Sequence, residues 1–409
     1  MRTRTWQVLV LIALTLGLAR AQTLDVWIYE SLYGDDVPLV QAAEAFMAEN
    51  PGIQINFVPT QFGSSSYLDK YVVAALAGGG PDALMVDIAW SPQLAAMGTA
   101  LALDEFIGDA IDDFFAGPVT TVTFEGETFG LPFYTNSLGM FYNRTAFEAA
   151  GLPLPAEGWT WDDFMTAVDT LSDGSMYGFG LLGGWGGTYE FYTWAWQNGG
   201  DFLTADYAEP AFNSPETLEA AEFFLDLVTN PRYVPEGVKT WRGWDELGAA
   251  FANGVVAMFQ SGDWALRTVS MMEPDFEWGV APLPRNVESA SLVGGANWIV
   301  NPNTRHTEAA LQWIEYVTGP AAFEMMDGYN RVAARRGAEA AQSIVRDDPR
   351  MQVFVEQLDI ARARPPIPEW TPIDWDCLQP AFLRVILEDA DVRRVMAEAE
   401  LCAIGKLRE

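Results

Sequence analysis

The sequence predicts an α/β protein of two lobes, each a mostly parallel sheet flanked by helices. Three observations carry that expectation. Between Leu24 and Ile88 strand-like and helix-like patterns alternate as β-α-β-α-β, the signature of parallel strands joined by crossover helices. The stretch Gly130-Leu131-Pro132-Phe133-Tyr134-Thr135-Asn136-Ser137-Leu138-Gly139-Met140-Phe141-Tyr142-Asn143 reads as extended, because Pro132 lacks a backbone donor and keeps Leu131 out of the helical region. It separates two differently composed α/β regions, as a crossing between lobes does, although an ordinary core strand carrying two tyrosines fits the residues equally well. Gly294-Gly295-Ala296-Asn297-Trp298-Ile299-Val300 looks like a second crossing.

Taken in order, the chain begins with a targeting segment over 1–21. Arg2 and Arg4 precede an apolar run from Trp6 to Leu18, and Ala19-Arg20-Ala21 fits a small-x-small cleavage site. The run is shorter than the ~20 residues of a membrane-spanning helix; an uncleaved anchor is the alternative. No cysteine follows it, so a periplasmic protein that is not a lipoprotein is expected.

Leu24 to Tyr29 alternates as a first strand, and Glu30 opens a polar loop. Leu39, Ala43, Phe46 and Met47 recur at helical spacing, and Ile53, Ile55 and Phe57 alternate on a second strand. Ser66 to Asp69 is a capping-box pattern for the next helix. After Gly78-Gly79-Gly80-Pro81-Asp82, Ala83 to Ile88 forms a buried strand. Ligands of such sheets sit at the carboxyl ends of strands, which places Tyr29, Glu30, Asp87 and Trp90 together. In the second region Thr160-Trp161-Asp162-Asp163 is another capping box. An aromatic-rich stretch runs from Trp185 to Gly200, Ser214 to Val228 is an amphipathic helix, and Val255 to Phe259 is an apolar strand followed by Gly262-Asp263-Trp264.

Composition narrows the function. Of 409 residues half are hydrophobic, and the formal charge is −33, or −36 once the three arginines of the targeting segment are removed. That balance excludes nucleic-acid binding, which needs basic surface, and disfavours anionic ligands. His306 is the sole histidine, which removes Ser-His-Asp and Cys-His catalysis and any histidine-based metal site. Dinucleotide and phosphate-loop glycine motifs are absent, and no cofactor is expected. Cys377 and Cys402 are the two cysteines. In an exported chain they are expected to form a disulfide, two free thiols being the alternative.

Several motifs then agree: Glu49-Asn50-Pro51-Gly52-Ile53, Gly79-Gly80-Pro81-Asp82, Gly130-Leu131-Pro132, Phe141-Tyr142-Asn143, Trp159 to Phe164, and Phe251-Ala252-Asn253-Gly254-Val255-Val256-Ala257-Met258. Together these resemble the family 1 extracellular solute-binding proteins of ABC importers, the carbohydrate-binding group with maltose- and trehalose-binding members. The resemblance implies a type II periplasmic-binding-protein fold. Lobe 1 is then 22–132 plus 296–330 and lobe 2 is 136–293 plus 334–409, with hinge crossings near 133–135, 294–295 and 331–333. It further implies a monomer that closes over a neutral mono- or oligosaccharide and hands it to ABC importer permease subunits, without chemistry. A cationic solute such as a polyamine is the second reading, and a secreted glycan-degrading enzyme the alternative of another class.

By the same resemblance the ligand residues are Glu30, Asp87, Tyr134, Asn136, Trp264, Asn297 and Arg335, with Trp90, Trp185 and Trp241 as further aromatic candidates. Sugar hydroxyls both donate and accept, and sugar C–H faces pack on aromatic rings. Trp161 is expected to serve packing. Ala296 departs from the family pattern where a bulky aromatic is usual, and Ala333 where proline is usual.

Overall fold

The computed structural model describes residues 21–29, 38–60, 65–185, 187–326 and 331–408. Its sheets are built from β1 (Gln22–Tyr29), β2 (Ile53–Thr60), β3 (Ala83–Asp87), β4 (Leu131–Asn136), β5 (Leu138–Asn143), β6 (Met258–Gly262), β7 (Trp278–Ala281), β8 (Gly294–Val300) and β9 (Val332–Ala333). The helices used below are α1 (Pro38–Glu49), α2 (Ser65–Leu76), α3 (Trp161–Leu171), α4 (Thr188–Gln197), α5 (Trp244–Ala252), α6 (Trp264–Met271), α7 (Thr307–Val317), α8 (Pro349–Gln357) and α9 (Val392–Lys406).

Lobe 1 is a six-stranded sheet in the order β9-β4-β8-β3-β1-β2. β1 runs parallel to β2 and β3, as the βαβ pattern requires. β8 is antiparallel to both β3 and β4, and β9 is antiparallel to β4. Crossing strands enter this sheet from the opposite lobe, so they break the parallel run begun by β1 to β3. Lobe 2 holds the sheet β6-β5-β7, antiparallel throughout, with parallel bridges at Tyr177–Val256 and Gly180–Phe259.

Each lobe buries its own core. In lobe 1 Leu24, Val26 and Ile28 of β1 alternate inward under α1 and α7, where Trp313 meets Phe46 at 5.5 Å and Trp298 at 5.8 Å. In lobe 2 the capping box forms at Thr160 and Asp163, with the threonine hydroxyl donating to the carboxylate at 2.7 Å. It launches α3, whose Trp161 stacks on Phe223 at 4.4 Å and donates its indole N–H to Gln197 Oε1 at 2.9 Å. Trp161 is a packing residue, as expected.

The chain leaves lobe 1 after Asn136 and enters lobe 2 at Leu138, where the intervening Ser137 hydroxyl donates to Phe354 O in α8 at 2.7 Å. It returns through Val293 into β8. The third passage comes later than the sequence suggested. Ala334 N–H donates to Phe133 O at 3.1 Å and Phe115 N–H to Ala334 O at 3.0 Å, so residues 334–338 stay on lobe 1. Only α8 packs on β5 and β7.

Cys377 and Cys402 form a disulfide with a Cα–Cα distance of 5.6 Å. It ties the π-helical turn Asp374–Leu378 to α9, and Lys406 Nζ adds an ion pair to Asp376 at 2.7 Å. No helix among the described residues is long and apolar enough to cross a membrane.

Candidate functional site

The strand register brings four residues into one row. Asp87 on β3 lies opposite Ala296 on β8, Ala296 opposite Tyr134 on β4, and Tyr134 opposite Ala333 on β9. Direct cross-strand partners share a face, so Asp87 and Tyr134 point the same way. Alanine on both sides of Tyr134 leaves that ring room, which gives the two departures from the family pattern a physical role.

Asp87 is not free to meet a ligand alone. Its Oδ1 accepts from Ala89 N at 2.9 Å, capping the short turn after β3, and from Arg364 Nη2 at 2.7 Å. Arg364 comes from the lobe-2 side and packs over the Tyr189 ring, 5.7 Å from its centroid. Burial works against the Arg364 charge, but Asp87, then Tyr189, Tyr192 and Asp374, more than offset it and hold the guanidinium above its ordinary range. The gap beside Arg364, walled by Ile88, Pro92, Thr121 and Pro366, is about 10 Å³, so the lobes meet here in a closed arrangement.

Three aromatic rings stand together on lobe 2. Trp264, the first residue of α6, meets Trp244, the first of α5, edge-on at 5.0 Å, and Tyr189 of α4 lies 6.2 Å from each. Glycines make this assembly possible. A Cβ at Gly262 would fall 2.0 Å from the Trp264 ring, and one at Gly294 would fall 2.1 Å from Asn136 Oδ1 and 2.5 Å from the Tyr189 hydroxyl. The same contacts show that Asn136 and Tyr189 are neighbours.

Acidic groups line the aromatic trio. Asp263 is 0% exposed, and burial pushes its carboxyl up to about 7 against the pull of the Arg331 guanidinium and of backbone at Val332 and Trp264. Asp374 is buried likewise and pushed up to about 6, restrained by Arg364 and by the hydroxyls of Tyr192 and Thr188. Burial raises the Tyr134 hydroxyl to about 12, although Arg331, 5.7 Å from its ring centroid, opposes the shift. Glu190, beside Tyr189 in α4, is a buried acid pushed up to about 7 by burial.

Several polar atoms here make no hydrogen bond of ordinary geometry: Asn136 Oδ1, both carboxylate oxygens of Asp263, Asp374 Oδ1, Trp264 Nε1 and Arg364 Nε. Buried polar atoms are nearly always paired, and unmet ones mark places where a ligand or water completes the set.

The residues expected from sequence therefore divide. Asp87, Tyr134, Asn136 and Trp264 converge on the cleft. Trp90 is buried in lobe 1 and packs 5.9 Å from Tyr67. Asn297 is buried in lobe 1, where its amide donates to Ser91 Oγ at 2.9 Å and Thr121 Oγ1 at 3.0 Å. Arg335 pairs with Asp113 at 2.7 Å and covers the Phe114 ring, on lobe 1. Trp185 is 43% exposed, with its indole N–H held by Arg242 O at 2.7 Å. Trp241 packs against both lobe-2 cores. These five are corrected from ligand candidates to structural or surface residues: each is already occupied by partners of its own lobe. Glu30 lies outside the described residues. Tyr189, Trp244, Asp263, Arg331, Arg364 and Asp374 were missed. Asp263 alone had a sequence signal, in its place before Trp264.

A groove of about 790 Å³ lies elsewhere on lobe 2, among Tyr142, Arg144, Trp278 and Arg350. Its charged walls satisfy one another, since Arg350 is paired with Asp348 at 2.7 Å and stacked 4.2 Å over Trp278. No group of three or more metal-ligating side chains occurs among the described residues.

Comparison with known proteins agrees with this architecture. The family described as bacterial extracellular solute-binding protein matches residues 32–322. A binding protein of Brucella abortus is 27% identical over 374 residues, covering 88% of each chain. The multiple sugar-binding protein of Streptococcus mutans is 26% identical over 210 residues, 48% of this chain and 49% of that one. An ABC transporter solute-binding protein of Thermotoga lettingae, solved with α-D-tagatose bound, superposes with a TM-score of 0.82 at 27% identity, covering 95% of this chain and 100% of that one. Two lobes, three crossings and a cleft of aromatic and unpaired polar groups are what that family requires, and the chain belongs to the bacterial extracellular solute-binding proteins.

Proposed function

We propose that the protein captures a mono- or oligosaccharide between its lobes outside the cytoplasm and presents it, chemically unchanged, to an ABC-type importer. The observation that carries this reading is the Tyr189–Trp244–Trp264 trio beside the unmet polar atoms of Asn136, Asp263 and Asp374. Aromatic faces take sugar C–H surfaces, and hydroxyls donate to unpaired oxygens. The tagatose-bound relative and the multiple sugar-binding relative support it. Lobe closure gives the ligand contacts in the closed state that the open state lacks, which is what ligand-driven closure needs. Export through cleavage after residue 21 and action as a monomer belong to the same proposal.

A thermal-shift screen of the mature protein against sugars, with phosphorylated sugars and polyamines as controls, tests it. A ligand at 100 times its dissociation constant stabilises the folded state by about 2.7 kcal/mol. Selective stabilisation by one group of sugars, recovered intact, supports the proposal. A shift with phosphorylated sugars alone contradicts it.

One observation favours charge on the ligand as well: the cleft already holds the Arg364 guanidinium on an aromatic face and against carboxylates. That argues for the cationic reading within the sugar reading.

A further inference from the structure

Resting on the sugar reading, the donor and acceptor count of the cleft narrows the ligand class. The unmet atoms comprise four acceptors (Asn136 Oδ1, both oxygens of Asp263, and Asp374 Oδ1) against two donors (Trp264 Nε1 and Arg364 Nε). A carboxylate or phosphate group offers acceptors only and would leave the four oxygens unmet. A hydroxyl serves either role. A protonated amine brings three donors and no acceptor, which matches the surplus.

The charges point the same way. Asp87, Asp263 and Asp374 face one another's neighbourhood around Tyr189, with Arg364 and Arg331 as the opposing cations. Two guanidiniums against three carboxyls leave one negative charge without a counterpart in a closed cleft, and an uncompensated buried charge is costly. The surplus falls on Asp263, since Asp87 is paired directly with Arg364 at 2.7 Å while both Asp263 oxygens lack a hydrogen-bond partner. Beside Asp263 stand the faces of Trp264, Trp244 and Tyr189, and aromatic faces attract cations.

We propose that the ligand is a sugar carrying a protonated nitrogen, an amino or imino sugar, seated against the Trp264–Trp244–Tyr189 rings with its nitrogen on Asp263. Binding is non-covalent. The sugar hydroxyls meet Asn136, Asp374, Trp264 and Arg364, and the ammonium neutralises the one unmatched carboxylate.

Isothermal titration of the mature, disulfide-intact protein with matched compounds tests this: glucose, glucosamine and N-acetylglucosamine; the galactose series; and cellobiose, the chitosan disaccharide and its diacetylated form. The expected result is that in one series the amine binds roughly tenfold more tightly than both its neutral parent and its N-acetyl form, as a desolvated cation on an aromatic face with a carboxylate partner allows. In Asp263→Asn that ratio falls to about one; if this variant does not fold, Asp374→Asn serves as a second site, with the ratio reduced. Equal or tighter binding of the neutral parent overturns the amine proposal and leaves the sugar reading standing. Silence from every compound in all three series overturns both.

Discussion

Asp87 Oδ1 accepts a hydrogen bond from Arg364 Nη2 at 2.7 Å, joining the end of a lobe-1 strand to the segment of lobe 2 that folds over it. The side chains are 19% and 11% exposed, so this is a buried ion pair shared by two bodies that the family moves apart. Removing one partner of such a pair strands a charge at a cost of about 3–5 kcal/mol. Here the orphan has an escape that a core pair lacks, because opening the cleft returns it to water.

Arg364→Met and Asp87→Asn are therefore expected to shift the protein toward an open state without unfolding it. Small-angle scattering should show a larger radius of gyration for both variants, with unchanged far-ultraviolet circular dichroism. An unchanged radius in both would mean that the pair does not hold the lobes together.

Trp264→Ala removes the ring that touches both Trp244 and Tyr189, and sugar affinity should fall at least tenfold, about 1.4 kcal/mol or more. Trp185→Ala and Arg335→Ala should leave affinity within about twofold, since neither side chain reaches the trio and surface changes are usually small. Calorimetric titration of all three against one sugar separates the cleft from its surroundings.

Asp263 and Asp374 set a pH dependence. Their folded-state values, about 7 and about 6, stand above the ordinary 3.8 because burial disfavours the anion. A raised carboxyl means the native state holds more protons, so its contribution is fully present below about pH 4 and is lost as pH rises through 6 and 7. Each unit of difference is worth about 1.4 kcal/mol. Asp263→Asn should accordingly raise the melting temperature at pH 8 and flatten its decline between pH 5 and 8. A steeper decline in the variant would contradict the assignment.

Cys377 and Cys402 close a loop with a sequence separation of 25. Replacing both with serine should cost about 3 kcal/mol by the chain-entropy estimate. Because the bonded π-helical turn begins at Asp374, sugar affinity should fall along with the melting temperature. Calorimetry and titration on the same double variant check both parts.

Lobe organisation was legible because it rests on local signals. Alternation in β1 and β2, the capping box at Thr160, Pro132 in β4 and the glycine pair at Gly294 each act through backbone preference or hydrophobic period, and these a chain carries in consecutive residues. The third crossing was misplaced because residues 334–338 are held to lobe 1 by Phe133 and Phe115, which lie about two hundred residues away.

The cleft was half legible. Asp87, Tyr134, Asn136 and Trp264 stand at strand ends or motif positions, where chain order already indicates the side facing the other lobe. Trp90, Asn297 and Arg335 looked equally well placed, yet Tyr67, Thr121 and Asp113 had already claimed them.

By itself the sequence determined the α/β class, the two lobes, the acidic surface and the absence of histidine chemistry, because composition and short-range periodicity specify these. Only the tertiary structure decided which aromatics form the trio and that Arg364 answers Asp87. It alone left Asp263 buried without a hydrogen-bond partner. The reason is physical: a side chain's role in a cleft depends on what the rest of the chain places beside it, and Asp87 and Arg364 are 277 residues apart.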